Sequence, residues 1–247
     1  MPHPLPFWEQ LPLGRGVSLL ARDANGLAAL SKPAGLLSLP NSPHEQSRSL
    51  LQAAYRLDEE CYEWAGGGRL WLLNRLDSAT SGVILVADNH ALAVVIRDHF
   101  KRKQVHKLYQ ALVFGRPSRK EENWIDRLAV EKKAGQIRTG AGHIPSESRM
   151  RVVKSFNGPG GAPLALIQLE PRTGRSHQLR VQCAKRHLPI VGDQTYGDFG
   201  QNRAFAKLTG EKRLFLHSRS TRFNYTLGGK EHAFGAEAPL PAEFVLG

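Results

Sequence analysis

The sequence predicts an α+β fold, a mixed and largely antiparallel sheet flanked by helices and loops, and three observations carry that prediction. Short apolar runs of strand length outnumber the stretches with helical periodicity. Neighbouring strands are often joined by short turns, which antiparallel pairs permit and parallel pairs do not. No glycine-rich phosphate loop follows a strand, so the doubly wound nucleotide-binding folds lose their usual fingerprint.

In chain order, SLLARDANGLAALSK sets two apolar segments around Asn25-Gly26, a dipeptide suited to a two-residue hairpin turn. Pro33 and Gly35 break the pattern, residues 39–49 read as a surface loop, and a helix is expected over 48–57. GVILVA at 82–87 is β-branched and apolar throughout, as a strand buried on both faces would be. Leu92, Val95, Ile96 and Phe100 share one helical face, predicting an amphipathic helix from His90 to Lys103. KLYQALVFG alternates, with Tyr109, Ala111 and Val113 on one side, and Gly115 and Pro117 end that strand. Residues 120–142 read as loop with short strands. LALIQL at 164–169 is a further strand, a helix over 176–187 follows it, and RLFLHS at 213–218 is the last clear strand.

Length and composition bound the function. The chain has 247 residues, 41% of them hydrophobic, enough for a sizeable core. Neither an internal repeat nor a break in composition divides it, so residues 17–247 are expected to form a single domain after a short extension, residues 1–16. The 34 Lys and Arg against 22 Asp and Glu give a net charge of +12, which favours polyanionic partners. Between Arg97 and Arg138 lie twelve Lys or Arg and five Asp or Glu, so more than half of the excess is concentrated there. That segment reads either as a solvated face or as a phosphate-binding surface. Two cysteines, Cys61 and Cys183, supply no disulfide framework and point to a reducing, cytoplasmic setting. No apolar run is long enough to span a membrane, and no signal peptide is legible.

Two segments stand out chemically. In LNRLDSATSG, residues 73–82, Arg75 and Asp77 point to the same side of an extended chain, and Ser78, Thr80 and Ser81 can hold a sharp turn. The residues alone leave Asp77 as a turn cap, an ion-pair partner or a nucleophile. In PRTGRSHQLRVQ, Ser176 or Thr173 could cap a helix whose free amides favour an anion, with Arg175 at that end and His177 and Arg180 on its surface. His177, Cys183 and His187 do not have the spacing of a zinc site. A phosphoester hydrolase using His177 would lack both a metal-ligand set and a second base.

SKPAGLL (31–37), LNRLDSATSGVILVA (73–87), KLYQALVFG (107–115), RTGRSHQLRVQ (172–182), LPIVGDQTYG (188–197) and RLFLHS (213–218), taken in that order, resemble the RluA family of pseudouridine synthases. The resemblance implies the pseudouridine synthase catalytic fold and an enzyme that isomerises uridine within ribosomal or transfer RNA. It implies Asp77 as the nucleophile, Tyr109 as the residue that contacts the base and shares in proton removal, and Arg175 as the partner of the aspartate. A guanidinium beside a carboxylate keeps it ionised and oriented, and a phenol can stack on a pyrimidine while offering a hydroxyl. The reaction is redox-neutral, so no cofactor and no metal are expected.

RNA is the implied partner, and extrusion of the target base costs a few kcal/mol that phosphate contacts help offset. Asn74, Arg75, Thr80, Lys101, Arg102, Lys103, Lys107, His177, Gln178 and Arg180 are the expected RNA or substrate contacts. Asn74 stands where the family commonly has His, and Ser31 where it has Asn. No separate amino-terminal RNA-binding module is expected, and action as a single chain is the family default. The alternative is a module that keeps the fold and binds RNA without modifying it.

Overall fold

The computed structural model describes residues 5–133, 136–141 and 143–244. The order is α1 (Leu5–Glu9), β1 (Ser18–Arg22), β2 (Leu27–Lys32), β3 (Ala54–Arg56), β4 (Cys61–Trp64), β5 (Gly68–Leu72), β6 (Ser81–Ala87) and α2 (His90–Lys101). There follow β7 (His106–Phe114), β8 (Glu121–Lys133), β9 (Gln136–Ala141), β10 (Ile144–Asn157), β11 (Pro163–Pro171), α3 (Gln178–Lys185), α4 (Phe199–Thr209), β12 (Leu216–Leu227) and β13 (Lys230–Glu237). The pairs β1–β2, β2–β6, β5–β6, β4–β5, β3–β4, β12–β13, β7–β11, β10–β11, β8–β10 and β8–β9 are antiparallel, in keeping with the largely antiparallel sheet expected. Among the described residues, no helix is long and apolar enough to cross a membrane.

The chain forms two compact units: residues 1–106 with 218–239, and residues 107–217 with 240–247. In the first, β6 is buried along its whole length because its alternate residues enter two different cores. Val83, Leu85 and Ala87 pack with Leu92, Ile96, Phe223 and Phe234, while Ile84 and Val86 pack with Trp8, Leu51, Tyr62 and Leu70. The continuous apolar run is therefore the signature of a strand with no solvent face. At its start Gly82 has φ 113°, and a Cβ there would meet the Ser218 carbonyl oxygen at 2.1 Å. Gly82→Ala combines that clash with backbone strain and is expected to destabilise the protein by about 2 kcal/mol or more, read from urea unfolding.

The first hairpin forms where expected, but its loop holds four residues, 23–26. The Asp23 carboxylate accepts the amides of Asn25 (2.9 Å) and Leu27 (3.0 Å), so a side chain closes the turn and of the pair Asn25-Gly26 only Gly26 takes positive φ. No helix occupies 48–57. Leu50 and Leu51 are fully buried, and their segment bonds to Pro12, Gly14 and Leu37 instead, before β3 begins. A short 3-10 turn, Pro43–Arg48, interrupts the loop before it.

In the second unit the strand order is β7-β11-β10-β8-β9. β8 replaces much of the loop expected over 120–142. Its inward positions are Glu122, Trp124, Asp126 and Leu128, two of them carboxylates, which masks the alternation in the sequence. Both acids have partners: the partly exposed Glu122 accepts the Trp124 indole at 2.9 Å, and Asp126 accepts Gln182, Lys185 and Arg186 at 2.9–3.0 Å. The core beneath is aromatic, with Phe205 edge-on to Phe114 and Phe215 at ring distances of 6.2 and 5.5 Å. The strand expected at 213–218 begins at Leu216, runs on to Leu227 and is followed by β13.

Candidate active site

Asp77 sits in the loop between β5 and β6 in the first unit, and that loop is fixed on both sides. Ahead of it, the Asn74 amide oxygen accepts Leu85 N–H at 2.8 Å, and Ser38 both donates to Leu76 O (2.7 Å) and accepts Leu76 N–H (3.0 Å). Behind it, Thr80 N–H bonds to the Asp77 carbonyl at 3.0 Å and closes a turn. Asp77 is half-buried and Arg75 exposed. Thr80, expected to meet RNA, is instead 2% exposed beneath the loop. Its hydroxyl has no hydrogen-bond partner among the described residues. Asn74 thereby ties the start of the loop to a strand amide.

Sequence reasoning missed Lys32. It is fully buried, and its ammonium donates to Pro33 O (3.1 Å), Leu36 O (2.6 Å) and Ser78 O (3.0 Å), three carbonyls that include the residue after Asp77. A buried charge held by three acceptors welds the SKPAG turn to the aspartate loop. The motif containing it was visible, but nothing in a lysine's spacing distinguishes a buried donor from a surface charge. Lys32→Met leaves those carbonyls without their donor and is expected to cost about 3 kcal/mol of stability. A loss below about 1 kcal/mol in chemical unfolding would show that the ammonium does not hold the loop.

Tyr109 and Arg175 belong to the second unit. Tyr109 lies in β7 opposite Leu169 of β11, and Lys107, two residues earlier, shares its face. Burial draws the Lys107 ammonium below the ordinary lysine range. Its Nζ lies near Gly174, where an added Cβ would be 3.8 Å away, so the strand and the TGR turn meet.

That turn is built on Gln178. Its amide oxygen accepts the Thr173 hydroxyl (2.7 Å) and Arg175 N–H (3.1 Å), and its nitrogen donates to Glu147 O (3.0 Å). Gln178, 4% exposed, is thus part of a buried polar network. Helix α3 begins at Gln178 with His177 in the left-handed region (φ 53°) as its cap residue, so neither Ser176 nor Thr173 caps it. The Arg175 side chain is exposed, with Nε reaching Pro145 O at 3.4 Å.

Arg180 is buried and makes paired bonds to Asp193 (2.8 and 2.7 Å). Asp193 also accepts the amides of Thr195 and Tyr196, and Tyr196 carries the hydroxyl that bonds His177 Nδ1 at 2.9 Å. Burial pushes the Asp193 carboxyl up, but the hydrogen bonds and charge of Arg180 with those two amides outweigh it and hold the group below the usual carboxylate range. The same contest at Asp126 ends the same way, through Gln182, Lys185 and Arg186.

At the end of α2, Lys101, Arg102 and Lys103 are exposed, Arg102 paired with Asp98 at 2.7 Å. No group of three or more His, Cys, Asp or Glu that could hold a metal occurs among the described residues.

Residues 26–185, which include the Asp77 loop, β7 and the TGR turn, match the family described as RNA pseudouridylate synthase. The chain belongs to the RluA family of pseudouridine synthases. Among its relatives in the family, tRNA pseudouridine synthase C of Haemophilus ducreyi is 31% identical over 219 residues, 85% of this chain and 86% of that one. Ribosomal large subunit pseudouridine synthase C of Rickettsia bellii is 30% identical over 231 residues, 92% and 69% of the two chains. The dual-specificity RNA pseudouridine synthase RluA of Vibrio vulnificus is 32% identical over 200 residues, 80% and 74%. The fold is that of human RNA pseudouridylate synthase domain containing 1, with a TM-score of 0.66 at 24% identity over 91% of this chain and 83% of that one. The mixed antiparallel sheet read from the sequence is thus the RluA-family fold.

Proposed function

We propose that this RluA-family chain isomerises uridine to pseudouridine in ribosomal or transfer RNA, with Asp77 as the nucleophile. One C–N bond to the ribose breaks and one C–C bond forms, with a proton leaving carbon and another bound at nitrogen, so the change needs neither oxidant nor reductant. Tyr109 contacts the base and shares in proton removal, and Arg175 is the cationic partner of the aspartate. Arg75, Lys101, Arg102, Lys103 and Lys107 serve the RNA, whose phosphates give most of the affinity. The chain works alone, in the cytoplasm, without metal or cofactor.

The observation that carries this reading is the family match over 26–185, which takes in Asp77, Tyr109 and Arg175 together. The tight bonding of the loop on both sides of Asp77 supports it, since a nucleophile must be aimed before its substrate arrives. Incubating the full chain with bulk RNA from a strain that lacks it, then mapping pseudouridine, tests the proposal and identifies the target. A map with no new site would defeat it.

A further inference from the structure

Beside the aspartate loop, the first unit has an open pocket of about 380 Å³ between the β3–β4 turn, residues 72–75 and the end of α2. That volume is within the usual range of small-molecule sites, about 300–1,000 Å³. Its lining is amphipathic in a specific way. Tyr55, Leu57 and Phe100 give apolar and aromatic surface, and Asn74, Arg75 and Lys101 give donors and charge.

Arg97, which also lines it, is already committed to Leu72 O, Glu60 O and the Glu60 carboxylate. The cations that remain are Arg75 and Lys101, both exposed and, among the described residues, not in an ion pair. Asn74 spends its oxygen on Leu85 N–H, which leaves its NH₂ to donate. Leu57 is 76% exposed at the rim. The Tyr55 ring is set edge-on against Tyr62 at 5.0 Å, and burial, with Glu60 nearby, pushes its phenol up to about 12, so it stays neutral.

This lining suits an occupant that is flat, apolar on its faces, able to accept hydrogen bonds at its edge and attached to negative charge. We infer that this pocket is a second nucleotide site, which takes an unstacked nucleotide flanking the target uridine, base against Tyr55 and Leu57 and phosphate toward Arg75 and Lys101. Sequence proximity supports the link to catalysis, because Asn74 and Arg75 line the pocket within three residues of Asp77. The inference rests on the pseudouridine synthase reading and deepens it: specificity would come from a nucleotide beside the target as well as from the target itself. Bases held on aromatic surface are recognised by their faces, which is how proteins grip single-stranded RNA.

The test uses the full chain and bulk RNA from a strain that lacks it, cross-linked with short-wavelength ultraviolet light, which activates every base. After irradiation and nuclease digestion, nucleotide adducts are mapped by mass spectrometry, and adducts on the peptides carrying Tyr55, Leu57 or Phe100 are expected. Leu57→Glu sets a carboxylate at the rim of an exposed position, where folding is not at stake. It is expected to remove those adducts and raise KM for RNA about tenfold, with kcat nearly unchanged. Adducts confined to other peptides, or wild-type kinetics in Leu57→Glu, would overturn the inference. Suppression of the adducts by excess uridine 5′-monophosphate would show a free-nucleotide site and overturn the RNA assignment. Pocket adducts on RNA that gains no pseudouridine would defeat the synthase reading and leave the pocket standing.

Discussion

Asp77→Asn is expected to lower the rate of pseudouridine formation by at least about 10⁴-fold while leaving RNA binding intact, because an amide keeps the shape of the carboxylate and loses its nucleophilicity. The turn itself is closed by the Asp77 main-chain carbonyl, which accepts Thr80 N–H and is unchanged in the variant. Single-turnover modification of bulk RNA measures the first effect, and the salt dependence of RNA binding measures the second. A parallel loss of binding would mean that the carboxylate organises the surface, and full activity would remove Asp77 from the chemistry. Arg175→Ala is the informative companion. A guanidinium that only orients and charges the nucleophile should yield a partial loss, well short of the asparagine variant.

The fold was legible where hydrophobic pattern and backbone geometry agree. The β6 run, the α2 face and the β7 alternation each report a strand or helix directly, and the hairpin was placed by its turn residues. It was illegible where polar groups occupy inward positions. β8 carries two carboxylates at inward positions, and the partners of Asp126, which are Gln182, Lys185 and Arg186, come from α3 and its carboxyl-terminal end, far along the chain. Short-range pattern cannot show a charge satisfied at long range.

The site divides in the same way. Asp77, Tyr109 and Arg175 were singled out through their motifs. The residues that build the surrounding frame were not: Lys32 under the aspartate loop, Ser38 on Leu76, and the Asp193–Tyr196 turn beside His177 act through backbone groups or distant side chains. Gln178 and Thr80, expected at the RNA, instead sit inside the scaffold, because a polar side chain next to a tight turn serves the turn's own amides as readily as a ligand.

Arg180→Ala is expected to cost about 3–5 kcal/mol, since it leaves the Asp193 carboxylate buried without its cation. The consequence reaches further than stability. Asp193 also holds the amides of Thr195 and Tyr196, and the Arg180 guanidinium stacks on the Tyr196 ring at 5.1 Å, so the pair fixes the tyrosine that bonds His177. Replacing both partners, Arg180→Met with Asp193→Leu, removes the unpaired charge and is expected to recover most of the stability, to within about 1–2 kcal/mol of wild type. Activity should stay low, because no side chain then accepts the two amides and His177 loses its fixed neighbour.

The acid limb separates this pair from the rest of the protein. A carboxyl whose pKa is depressed on folding contributes stability that is present above the ordinary value of 3.8 and is lost as pH falls through the folded value. Wild type should therefore lose stability below about pH 4 more steeply than the double variant. Asp126 titrates in both, so the difference between their unfolding curves isolates Asp193. Parallel acid limbs would show that Arg180 and Asp193 are not paired as charges in solution.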